Sequence, residues 1–208
     1  MLVVHHLNES RSQRILWALE ELEVPYEIAF HQRDAQTRLA PPALRAVHPL
    51  GKSPVIEDDG RVIHESGAIL DYIARRYGRG RFAPPPGGED HERYLQWLHY
   101  GEGSAMLPLM LFMYVGRLGE AGAPLHPRIE SEIANHMGYI DAALVGRDWL
   151  VGDGPTAADA QLSFIPEVLK AFGKLGDYPD MAAWIERIHA RPAWARGLEK
   201  GGPYALGR

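Results

Sequence analysis

The sequence predicts a two-part chain: an N-terminal α/β domain with a mixed four-stranded sheet ordered βαβ–ββα, followed by an all-α domain. Three observations predict it. The first thirty residues alternate strand-like, helical and strand-like patterns. An Asp-Gly pair lies between two short apolar runs. A stretch rich in proline and glycine then leads into a half in which only helical periodicity recurs.

Leu2 to Leu7 is a short β-branched run that suits a buried strand. Asn8-Glu9-Ser10-Arg11-Ser12 is a polar turn with capping residues for a following helix. Ile15, Leu16, Leu19 and Leu22 recur at helical spacing, and Pro25 closes the helix. Tyr26 to Phe30 alternates as a strand does, so strand, helix, strand implies a parallel pair with a crossover helix. Residues 34–47 are a weaker helical patch with Pro41 and Pro42. Val55-Ile56 and Val62-Ile63 flank Asp58-Asp59-Gly60, a hairpin signal. Ile69, Leu70, Ile73 and Tyr77 then define one face of a helix. The sheet domain is expected over 1–78. Residues 79–88 form the linker, because Gly78 to Gly88 holds three prolines and four glycines. Residues 89–208 form the helical domain. Its helices are expected near 89–116, 127–145, 157–173 and 178–190, with kinks at Pro108 and Pro166. Thr156-Ala157-Ala158-Asp159 reads as a capping box for a helix central to this domain.

Composition excludes several classes. With 46% hydrophobic and 24% charged residues, the 208-residue chain can build a core. A net charge of −5 argues against a nucleic-acid partner. No cysteine is present, which removes disulfides, thiolate metal sites and a cysteine nucleophile. The longest apolar-rich stretch, 105–115, is far short of the ~20 residues a membrane helix needs, and Met1 to Leu7 lacks a secretory pattern. A soluble cytoplasmic protein is the expectation.

Three segments could carry chemistry. Ser53-Pro54-Val55 places a proline at the start of a strand, where only an edge or a turn tolerates it. Glu65-Ser66 opens a helix whose free amides and positive dipole end suit a carboxylate, with Ser66 to bind it and Glu65 to accept from an ammonium group. Ser10 and Ser12 lie between the first strand and first helix, where a hydroxyl and a helix N-terminus could stabilise a ligand thiolate. Each of these also reads as an ordinary turn or cap.

The βαβ–ββα unit with a proline just before its third strand resembles the thioredoxin fold. That resemblance implies a cis Pro54 and, after it, a backbone at Val55 open to a peptide. His48 to Val55, then His64 to Leu70, then Thr156 to Asp159 follow the order seen in glutathione transferases. Leu7 to Arg14 looks like the serine-type members, and the match maps the sulfur-contacting serine to Ser10, with Ser12 next. Tyr94 to Ser104 is similar to a bacterial and fungal branch. The resemblance implies that Val55 holds the cysteinyl backbone, with Ser53 and Pro54 before it in the binding loop, that Glu65 and Ser66 hold the γ-glutamyl end, and that Lys52 lies near the glycyl end. It implies glutathione as co-substrate, a small hydrophobic electrophile as acceptor, no metal and a homodimer in which Glu102 reaches the neighbouring ligand's amine. The chain departs from the family pattern in two places. His5 and His6 stand where other members carry a tyrosine, and Leu39-Ala40 replaces a His-Lys pair.

Other signals weigh less. Ala46 to Ser53 nearly matches a phosphate loop, but a strand-like segment follows and Pro54 removes an amide. The ten histidines lack metal-ligand spacing. Met106, Met110 and Met113 suit packing or an apolar wall for the electrophile. A non-catalytic binding module, or a glutathione-dependent peroxidase or isomerase, would use the same fold.

Overall fold

The computed structural model describes residues 1–206. The N-terminal half contains β1 (Val3–Leu7), α1 (Gln13–Glu21), β2 (Glu27–His31), α2 (Ala43–Val47), β3 (Val55–Asp58), β4 (Arg61–His64) and α3 (Ser66–Tyr77). The sheet order is β2-β1-β3-β4. β2 runs parallel to β1, and β3 is antiparallel to both β1 and β4. This is the mixed sheet expected, and the crossover through α1 explains its parallel pair.

Period-two alternation decides what each face carries. Val4 and Ile56 are fully buried in one core with Ile15, Leu16 and Leu19 of α1 and Ile69, Leu70 and Ile73 of α3. The β3–β4 hairpin turns on Asp59 and Gly60, with φ of 48° and 76°. Two successive positive values match the strands' right-handed twist, which is why Asp-Gly serves there. Of the weak patch at 34–47, only α2 is helical, and it starts after Pro42, whose fixed φ suits a helix entry.

The second half is helical: α4 (Glu89–Tyr100), a π-helical turn (Gly101–Ala105), α5 (Met106–Gly116), α6 (His126–Leu144), α7 (Ala157–Leu162), α8 (Phe164–Ala171), α9 (Pro179–His189) and α10 (Pro192–Gly201), with two short 3₁₀ segments. Both prolines interrupt their helices. Pro108 has no N–H for the Ser104 carbonyl, and the chain widens just before it, where Met106 N–H reaches Gly101 O. Pro166 has no N–H for the Leu162 carbonyl, and the helix breaks at Ser163. The capping box is present: Ala158 N–H donates to Thr156 Oγ1 at 3.2 Å, and Thr156 N–H to Asp159 Oδ2 at 2.8 Å.

One helix goes beyond the four helical segments expected. α10 contains Gly197 and ends on Gly201, residues of low helix propensity. Its stability comes from packing on α1. A Cβ on Gly201 would lie 2.6 Å from Leu16 Cδ1. The glycine lets the helices approach more closely than any larger residue would allow. No helix among the described residues is long and apolar enough to cross a membrane.

Candidate functional site

The expected site residues gather at the C-terminal end of β1, the N-terminus of α1, the loop before β3 and the N-terminus of α3. The Ser53–Pro54 peptide bond is cis. Ser53 Oγ donates to His5 O at 2.8 Å, which fastens this loop to β1. The Ser53 main-chain N–H and C=O make no hydrogen bond among the described residues. Val55 differs. It is 1% exposed and flanked by His5 of β1 and His64 of β4, so β3 is an interior strand. The open backbone therefore lies one residue before the proline, at Ser53, and not after it at Val55. A peptide cannot add to a strand that already has a neighbour on each side.

Glu65 precedes α3 with φ 70° and ψ 118°. That region costs a non-glycine residue roughly 1–3 kcal/mol and is concentrated at ligand sites. The twist leaves the Glu65 side chain 69% exposed while Ser66 is buried at the first turn. Ser66 Oγ accepts from Arg14 Nη1 at 3.3 Å. Lys52 is exposed and carries no ion pair among the described residues. Arg45 lies beside it: its side chain packs over Gly51, 2.8 Å from where a Cβ would stand. The φ of +57° at Gly51 adds a second reason for glycine there.

The two serines sit deeper than the sequence suggested. Ser10 is 4% exposed, and its hydroxyl donates to Leu7 O at 2.7 Å. Ser12 is fully buried and lies 2.8 Å from Ser10 Oγ and 2.9 Å from His6 Nδ1; it also accepts from Leu7 N–H at 3.2 Å. His6 spends its other nitrogen on the Gly201 carbonyl, so Nδ1 is the acceptor and Ser12 donates to it. Burial lowers the His6 pKa to about 4, the Gly201 bond raises it less, and His31 lowers it further. The ring is thus neutral near pH 7. Ser10 and Ser12 tie the turn to β1, His6 ties β1 to α10, and neither serine proton is directed outward.

Sequence reasoning passed over Asn8. It is partly exposed and opens the same turn, directly after β1. Its Oδ1 accepts from Arg33 N–H at 2.8 Å, and Arg33 also grips the carbonyls of Asn8 and Glu9. That bond orients the amide and leaves Nδ2 without a protein partner among the described residues. Nothing in the sequence pairs Arg33 with Asn8, so the signal was tertiary.

Glu102, on the π-helical turn, accepts through Oε1 from Arg11 Nε at 2.7 Å and Arg14 Nη1 at 2.6 Å. Burial pushes its carboxyl up, but the two arginines outweigh that and hold it at about 2. The acid joins the helical half to α1 of its own chain. Among the described residues, no three His, Asp or Glu side chains converge as a metal site.

Comparison with known proteins agrees with this fold. Residues 10–76 match the glutathione S-transferase N-terminal domain, and residues 104–192 match the C-terminal domain. The chain is 35% identical to glutathione S-transferase 3 of Schizosaccharomyces pombe, over 96% of this chain and 88% of that protein. It is similar to a glutathione S-transferase structure from Actinobacillus pleuropneumoniae, with TM-score 0.91, 31% identity, and 100% and 96% of the two chains covered. It is also similar to the glutathione transferase URE2P8 of Phanerochaete chrysosporium, solved with oxidized glutathione, with TM-score 0.78, 25% identity, and 96% and 94% coverage. The chain belongs to the glutathione transferase family, and the sheet domain is its thioredoxin-like half.

Proposed function

We propose that the site binds glutathione in an extended form and holds its sulfur as a thiolate for attack on a small hydrophobic electrophile. The observation that carries this reading is the open main chain of Ser53 before β3, taken together with Ser66 at the N-terminus of α3. One presents a backbone donor and acceptor, the other a hydroxyl on a helix dipole. The cysteinyl backbone pairs with Ser53. The γ-glutamyl carboxylate meets Ser66, and its ammonium meets Glu65. Lys52 and Arg45 face the glycyl carboxylate. The sulfur then lies over the turn at Asn8. Ser10, the donor expected from the sequence, gives its proton to Leu7, so Asn8 Nδ2 is the better donor to a thiolate.

The acceptor wall is Leu107, Leu111 and Tyr114. They are exposed on one stripe of α5, which begins directly after the turn holding Glu102. Met106, by contrast, is buried in the core, as its packing reading required. The working unit is a homodimer in the cytoplasm, and sedimentation tests the first part of that.

Calorimetry with glutathione, and ultraviolet titration of the bound thiolate, test the site. The bound thiol is expected to titrate below its free value of ~8.5. One charge-assisted hydrogen bond is worth about 1.5–3 kcal/mol, so Asn8→Ala should return the pKa by roughly one to two units. Ser10→Ala should leave it in place. The reverse pattern would restore the serine as donor, and absence of binding near millimolar glutathione would remove the proposal.

A further inference from the structure

We propose that Arg14 is a positioning residue for the γ-glutamyl carboxylate. It holds Ser66 as a one-way donor and places a buried positive charge beneath the α3 N-terminus. The inference rests on the glutathione reading above.

Arg14 is 1% exposed, on the first turn of α1. Its Nη1 reaches Ser66 Oγ at 3.3 Å, Glu102 Oε1 at 2.6 Å and Gln161 Oε1 at 3.5 Å. Its Nε and Nη2 have no hydrogen-bond partner among the described residues. A guanidinium has five N–H donors and no acceptor, so a fold that buries one with donors unspent carries a cost unless something uses them. Glu102 is its carboxylate partner and is shared with Arg11. One carboxylate thus serves two cations, and the Arg14 guanidinium lies against Ser66 with donors unspent.

The consequence for Ser66 follows from hydrogen-bond inventory. A hydroxyl has one proton and two lone pairs. Arg14 occupies a lone pair from below, and Arg14 can accept nothing in return. The Ser66 proton is therefore left for a ligand oxygen. The free amides of the α3 N-terminus and the guanidinium charge favour that oxygen being a carboxylate. Phe164 lies against both arginines, 5.1 Å from Arg14 Cζ and 4.9 Å from Arg11 Cζ, and closes this side of the cluster. Arg14 acts through Ser66 on recognition of the γ-glutamyl end. The thiol chemistry at Asn8 is at the opposite end of the β1–α1 turn.

The test uses two ligands on the intact protein: glutathione, and 4-aminobutyryl-cysteinylglycine, which lacks only the γ-glutamyl carboxylate. Arg14→Gln is expected to weaken glutathione at least about tenfold, the span of one charge-assisted hydrogen bond, and to leave the analogue unchanged. KM for glutathione should rise while kcat at saturation holds. Arg14→Lys, which keeps the charge, should fall between the two and carries the test if Arg14→Gln does not fold. The proposal is overturned if the variant weakens both ligands by one factor, or neither. A parent protein that binds neither ligand is a different result, since it refutes the glutathione reading itself.

Discussion

Replacing Ser12 with alanine should damage stability and spare chemistry, the opposite of what a sulfur-contacting serine would do. The hydroxyl is fully buried. It donates to His6 Nδ1 at 2.9 Å, accepts from Leu7 N–H at 3.2 Å and lies 2.8 Å from Ser10 Oγ. Its removal leaves a ring nitrogen and a main-chain amide without partners, because no water-sized route reaches a fully buried side chain. Each such group costs ~1–3 kcal/mol, partly offset because the hydroxyl's own desolvation is also removed. The net loss is about 2–4 kcal/mol. For a chain of this length each kcal/mol moves Tm by roughly 2–4 °C, so Ser12→Ala should melt about 5–15 °C below the parent. Calorimetric melting gives the first number, and steady-state kinetics with saturating glutathione at 25 °C the second; kcat should stay within about twofold. A variant that melts with the parent yet loses turnover would refute the reasoning, and Ser12 would have to touch the ligand.

Further outcomes follow from titration and packing. The His6 pKa falls from 6.5 to about 4, so the folded state favours the neutral ring. Its contribution is present above pH 6.5 and is lost as pH falls toward 4, by ~3 kcal/mol; His6→Asn should flatten that part of a Tm-against-pH curve. Glu102 falls from 4.5 to about 2, so its stabilisation is present above pH 4.5 and disappears as pH falls to 2, and Glu102→Gln should remove this lower limb. Asp159 has the opposite sign. Burial raises it from 3.8 to about 6 against the pull of its Leu150, Thr156 and Trp184 bonds, so its contribution declines as pH rises from 3.8 to 6. Asp159→Asn places a donor against these donors and should still cost about 2–4 kcal/mol at pH 7, read as a lower urea midpoint. Gly201→Ala should gain up to ~1 kcal/mol in helix propensity but lose about 1–3 kcal/mol to overpacking on Leu16, for a small net drop in Tm.

The sequence by itself determined the layout. Period-two runs, the Asp-Gly turn and the prolines at 54, 108 and 166 act through local dihedrals and missing amides, and these need no neighbours to be read. For the same reason the turn before β3 and the helix start at Glu65-Ser66 were legible as segments. Tertiary structure decided what each residue there can do. Val55 became an interior position because β4 pairs on its far side. Ser10 and Ser12 turned inward because Leu7, His6 and Gly201 accept and donate around them. The Asn8 amide nitrogen is left without a partner among the described residues because Arg33, 25 residues away, holds its carbonyl oxygen. Arg14 and Glu102 meet across 88 residues. A hydroxyl or an amide has few bonds to give, and only the folded neighbours settle whether any remains for a substrate.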